Sequence, residues 1–121
     1  MRPRRSYLDF LRDILNAAQQ AQEFVEGLDF DTFCADTKSL FAVVRTLEII
    51  GEAARHIPQS MKDDHPQVPW RQMLVMRNLL IHQYFGVDLE VLWRTIQEDL
   101  PPLREAIQRI LAELEDETEG K

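Results

Sequence analysis

The chain has 121 residues, 45% hydrophobic and 29% charged, with a formal net charge of −7, which is enough for one core in an ordinary globular domain. A single cysteine, Cys34, excludes an internal disulfide and a cysteine-built metal cluster, and is expected to be a small buried residue. No apolar run reaches the ~18 residues of a membrane span, and the acidic balance argues against broad, non-specific nucleic-acid binding.

Glycine is scarce and β-branched alternation is absent, so the expected fold is all-α, an up-and-down helical bundle of four to five helices. The basic start, Arg2, Arg4 and Arg5, runs into Asp9, Arg12 and Asp13 rather than an apolar stretch. That is no signal peptide, and the expectation is a cytoplasmic protein. One domain over 1–121 is expected, with an acidic, frayed tail over 113–121.

In chain order, Ser6 and Asp9 form a weak capping box. Tyr7, Phe10, Leu11, Ile14, Leu15, Ala18, Ala21 and Val25 then recur at helical spacing, and Gly27 stops that helix. Residues 28–35 read as a short helical turn that packs Phe30 and Phe33 inward. Asp36 or Thr37 caps the next helix, which runs to about His56 before Pro58 closes it. Gly51 in its middle costs about 1 kcal/mol against Ala, which implies a close helix contact. His56, near the helix C-terminus, is explained by the helix dipole.

Arg45, Glu48 and Glu52 share a side of that helix. They form either a salt-bridged surface or carboxylates that hold a cationic site from outside. Residues 59–68 read as a polar connection, with Asp63, Asp64 and His65 as solvated loop residues. After the motif helix described below, Asp88 caps a helix carrying Leu89, Leu92, Trp93 and Ile96. Pro101 and Pro102 are expected to break or kink it near Asp99, which can cap a last helix built on Leu103, Ile107, Ile110, Leu111 and Leu114.

The stretch between these elements is the unusual one. From Pro66 to Val87 there is no acidic residue. Pro69 opens a helix at a first-turn position, and Trp70, Met73, Leu74, Arg77, Ile81 and Tyr84 share one stripe at about 100° per residue. Arg71, Val75, Asn78 and His82 share a second. An arginine among apolar neighbours needs a partner, because an unpaired buried charge is very costly. That partner is an internal carboxylate, the same helix of a second subunit, or a bound phosphate.

Arg77-Asn78-x-x-x-His82-Gln83-Tyr84 resembles the R-x4-H-x-Y motif of the HepT family within the HEPN superfamily. The chain is also similar to that family at Ile49-Ile50-Gly51-Glu52-Ala53, Val68-Pro69-Trp70, Met76-Arg77-Asn78 and Asp99-Leu100-Pro101-Pro102-Leu103, in the same order. The resemblance covers roughly Tyr7 to Leu111. It implies a homodimeric HEPN-like bundle and the toxin of a type VII-like toxin–antitoxin pair. It further implies a metal-independent endoribonuclease, without cofactor, acting on RNA through a composite site.

The catalytic candidates are then Arg77, His82 and Asn78, with Glu48 and Glu52 supporting them. Tyr84 matches the tyrosine that accepts AMP from a partner nucleotidyltransferase of the MntA type, which silences the toxin. Geometry makes a dimer useful, since Arg77 and His82 point about 140° apart on one helix. The alternative is a non-catalytic helical module that binds and regulates a partner nucleotidyltransferase.

Overall fold

The computed structural model describes residues 6–74 and 88–119. Every element among them is helical: α1 (Tyr7–Phe24), α2 (Phe30–Ala35), α3 (Thr37–Arg55), α4 (Gln59–Asp64), a helical start over 70–74 (α5), α6 (Leu89–Arg94), a π-helical turn (Thr95–Asp99) and α7 (Leu100–Glu119). No helix among these residues is long and apolar enough to cross a membrane.

Local chemistry sets the ends. The Ser6 N–H donates to the Asp9 carboxylate at 3.3 Å and opens α1. Gly27, at φ +80°, makes the turn beyond its C-terminus, a backbone region that disfavours a side chain. Asp29 accepts the Thr32 N–H at 2.8 Å, and Asp36 accepts both the Ser39 hydroxyl at 2.8 Å and the Ser39 N–H at 3.3 Å. These bonds hold both carboxyls below the ordinary carboxylate range. Asp88 caps α6 by accepting from the Glu90 and Val91 N–H groups.

Long-range contacts fix the directions. Phe10, early in α1, stacks on His56 at the end of α3, while the Ser39 hydroxyl, early in α3, donates to the Phe24 carbonyl at the end of α1. Arg104, early in α7, donates to Gln22 late in α1, and Arg12 pairs with Glu115 late in α7. So α3 and α7 both run antiparallel to α1, as an up-and-down arrangement requires. The core between them holds Leu11, Ile14, Ala17, Ala18 and Ala21 of α1 with Val43, Leu47 and Ile50 of α3 and Leu103, Ile107 and Ile110 of α7. The alanines let the neighbouring backbones come close.

The structure corrects four local expectations. Residues 59–64 form helix α4 rather than open connection. Pro58 pre-sets the first turn, its carbonyl accepts the Lys62 N–H at 3.1 Å, and the Gln59 amide reaches Asp63 at 2.9 Å. Cys34 is half-buried, not enclosed. Pro69 precedes the first helical residue, its carbonyl accepting the Met73 N–H at 3.2 Å.

The prolines at 101 and 102, fourth, do not break the chain into two helices. The helix widens instead into the π turn, where the Leu100 N–H donates to the Thr95 carbonyl five residues back. The proline rings would meet the carbonyls of Gln97 and Glu98, four residues earlier, and both lie in that turn. Asp99 is therefore within the helical run and caps nothing. Leu92, Ile96, Leu100 and Leu103 stay buried through it, and this burial offsets the missing hydrogen bonds. Partial burial, then the adjacent Glu98, pushes the Asp99 carboxyl up, against the opposing pull of Arg94.

Candidate functional site

Arg77, Asn78, His82 and Tyr84 lie outside the described residues. The chain leading to them is described, and it is firmly held. His65 is half-buried, and its carbonyl accepts the Val68 N–H at 3.2 Å and the Trp70 indole N–H at 3.0 Å. Trp70 and Met73 insert into the core, 7% and 0% exposed. The expected apolar stripe thus begins as the spacing predicts, and α5 starts from a fixed position. Arg71, on the other stripe, is exposed.

The two supporting carboxylates are on α3. Glu48 lies 4.0 Å from Arg45. Glu52 lies 3.3 Å from Arg55 and 3.5 Å from the His56 Nε2. These are local pairs one helical turn apart, in partly exposed positions where an ion pair contributes about 0.2–1 kcal/mol. A role toward Arg77 or His82 would involve residues outside the described ones.

The structure adds a wall that the spacing did not reveal. His56 is more than a dipole residue: its ring stacks on Phe10 at 4.5 Å with 13° between the planes. Together with Asp13, Arg45, Glu48 and Glu52 they line a cleft of about 290 Å³ between α1 and α3. Among the described residues its lining carries three carboxylates, Arg45 and the His56 ring. No group of carboxylates, histidines and cysteines suited to a metal ion occurs among the described residues. Only the meeting of two distant helices places Phe10 on His56, and no local sequence signal carries that.

A second cleft, of about 510 Å³, opens where α4 meets the start of α5 and is lined by Lys62 and Arg71. Lys62 was missed because residues 59–68 read as a loop. As a helix, α4 turns it toward the acid-free segment.

The model of the HepT-like family, described as ribonuclease HepT-like, matches residues 14–110. A Thermococcus cleftensis protein described as a probable ribonuclease HepT is 48% identical over 88% of this chain and 97% of its own length. A Methanocaldococcus jannaschii protein described as a putative RNase is 41% identical over 82% of this chain and 91% of its own. Another of that description, from Caldanaerobacter subterraneus subsp. tengcongensis, is 39% identical over 84% and 91%. No solved structure matches the chain. With a family model spanning most of its length and relatives this similar end to end, the chain belongs to the HepT-like ribonuclease family of the HEPN superfamily.

Proposed function

We propose that this chain is a metal-independent endoribonuclease that works as a homodimer and serves as the toxin of a toxin–antitoxin pair. The observation that carries the reading is the complete Arg77-Asn78-x-x-x-His82-x-Tyr84 series inside the segment the family model matches. Named RNase relatives of nearly the same length support it.

The chemistry needs a base for the 2′-hydroxyl proton, an acid for the departing 5′-oxygen and cations for the charged phosphorane. Histidine, with a pKa near 6.5, serves as either base or acid at neutral pH. Arginine presents a fixed fork of donors to phosphate oxygens. Two copies of His82 and two of Arg77, brought together across a two-fold axis, supply the whole set. Asn78 positions the backbone or fixes the His82 tautomer. The 2′-oxygen attacks phosphorus as the 5′-oxygen leaves, giving a 2′,3′-cyclic phosphate and a 5′-hydroxyl. Glu48 or Glu52 pairs with Arg77 or orients His82, and neither carboxylate acts as a catalyst.

Tyr84 is the control point. AMP on its hydroxyl, transferred by a partner nucleotidyltransferase, sets a bulky anion beside Arg77 and fills the phosphate position. Two experiments test the reading. Cleavage in the presence of a chelator is expected to continue undiminished and to leave cyclic phosphate ends; loss of cleavage on chelation overturns the mechanism. Co-expression with the partner is expected to add AMP to wild type and nothing to Tyr84→Phe by mass spectrometry; an adduct retained on Tyr84→Phe overturns the role of this residue.

A further inference from the structure

The α4–α5 cleft carries a charge pattern opposite to that of the molecule. The chain bears −7 overall, and in the other two clefts described carboxylates outnumber arginines: Asp13, Glu48 and Glu52 with Arg45 in one, Glu90 and Glu98 with Arg94 in the other. Among the described residues the α4–α5 cleft is lined by two cations, Lys62 and Arg71, and by neither aspartate nor glutamate. Asp63 and Asp64, next along α4, are exposed and do not line it. Asp63 instead accepts the amide of Gln59, which does line it. The floor is apolar, from Val68, Pro69, Trp70 and Leu74, and rigid, because Val68 and Trp70 are buried and hydrogen-bonded to His65.

Its place along the chain matters as much. Arg71 is six residues before Arg77, so their backbones are within about 20 Å of each other in any conformation. Sequence spacing also puts Arg71 on the stripe of Asn78 and His82. A cationic cleft with an apolar floor, that close to a phosphate-cleaving motif, suits a flexible polyanion with flat apolar faces.

We infer that the α4–α5 cleft binds the single-stranded RNA flanking the scissile phosphate, with Lys62 and Arg71 on backbone phosphates and a base against Pro69 and Leu74, the accessible part of the floor. The inference rests on the ribonuclease reading for its substrate. It assigns Lys62 and Arg71 to positioning, not to catalysis. Single strands are preferred, since a duplex keeps its base faces stacked and out of reach of the floor.

The test compares wild type with Lys62→Gln/Arg71→Gln on two substrates, a labelled RNA of about twenty nucleotides and a dinucleotide. Lys62 is partly exposed and Arg71 exposed, so the double variant is expected to fold, which circular dichroism checks. Lys38→Gln/Arg109→Gln, an equal charge change at two exposed positions away from every cleft described, is the control. Two exposed phosphate contacts at about 0.7 kcal/mol each raise KM for the long strand about tenfold. The dinucleotide, too short to reach the cleft, is expected to change less than twofold, with kcat held on both.

In binding by anisotropy, the salt slope is expected to fall by about 1.4, at ~0.7 for each single-strand phosphate. Equal effects on both substrates, no effect on either, or the same loss in the control overturns the inference. So does a double variant that binds RNA as wild type does but loses an acidic protein partner. Should wild type cut no RNA, the ribonuclease reading fails on its own, and the anisotropy comparison still decides whether the cleft holds RNA.

Discussion

The clefts on α3 and α4 make an instructive pair. One sits between two long helices whose directions are fixed by core packing, and Asp13, Glu48, Glu52 and Arg45 line it with a ring stack. The other sits between a six-residue helix and the first turn of α5, lined by Lys62 and Arg71 over a buried tryptophan. A net-acidic protein thus sets two cations in the cleft at the start of α5 and three carboxylates in the cleft between α1 and α3. Overall charge predicts neither cleft; its local distribution is what a ligand meets.

Reversing the basic cleft is the harshest way to break this comparison. Lys62→Glu/Arg71→Glu replaces two attractions by two repulsions and is expected to weaken single-stranded RNA binding about a hundredfold, read by anisotropy at fixed salt. Neutralising the acidic cleft sharpens it. If Glu48 and Glu52 hold Arg77 or His82 in place, Glu48→Gln/Glu52→Gln lowers kcat on the order of tenfold or more with KM little changed. If the pairs with Arg45, Arg55 and His56 are their whole role, kcat stays at the wild-type value and the double variant loses only about 1 kcal/mol of stability.

Smaller effects probe the walls. Phe10→Leu removes the stack on His56 and is expected to cost about 1 kcal/mol in denaturant melts. Trp70→Phe exchanges the indole for a smaller ring in a buried position and removes the N–H that reaches the His65 carbonyl, at about 1–3 kcal/mol. That variant is expected to weaken RNA binding only if the floor of the basic cleft shifts.

The smallest effect is on pH dependence. Asp29 and Asp36 have folded values below the unfolded 3.8, so each contributes stability present above that value and lost as pH falls through the depressed one. Asp99 is raised, so its contribution has the opposite sign: stability declines as pH climbs from 3.8 through its folded value. Asp99→Asn is expected to steepen the acid limb and stabilise the protein slightly at pH 7, measured by urea unfolding.

Much of the architecture was legible because period and punctuation agreed. Leu11, Ile14, Ala18 and Ala21 mark the face of α1, and Asp36 and Asp88 cap where their spacing says. The error at Pro101 came from weighing two prolines above the apolar stripe, which passes unbroken through Leu92, Ile96, Leu100, Leu103 and Ile107. The error at 59–64 came from reading flanking prolines as loop signals, when Pro58 starts a helix. Neither the Phe10–His56 stack nor the approach of Lys62 to Arg71 was legible, because each depends on how separate helices meet.

The most direct trial of the account is single-turnover cleavage of one labelled RNA by wild type, Arg77→Ala and His82→Ala, each shown to be folded and of the same oligomeric state. Removing a general acid–base group costs about 10²–10⁴ in rate, and the account predicts a loss of at least the lower figure for both variants. Either variant cutting as fast as wild type would contradict it.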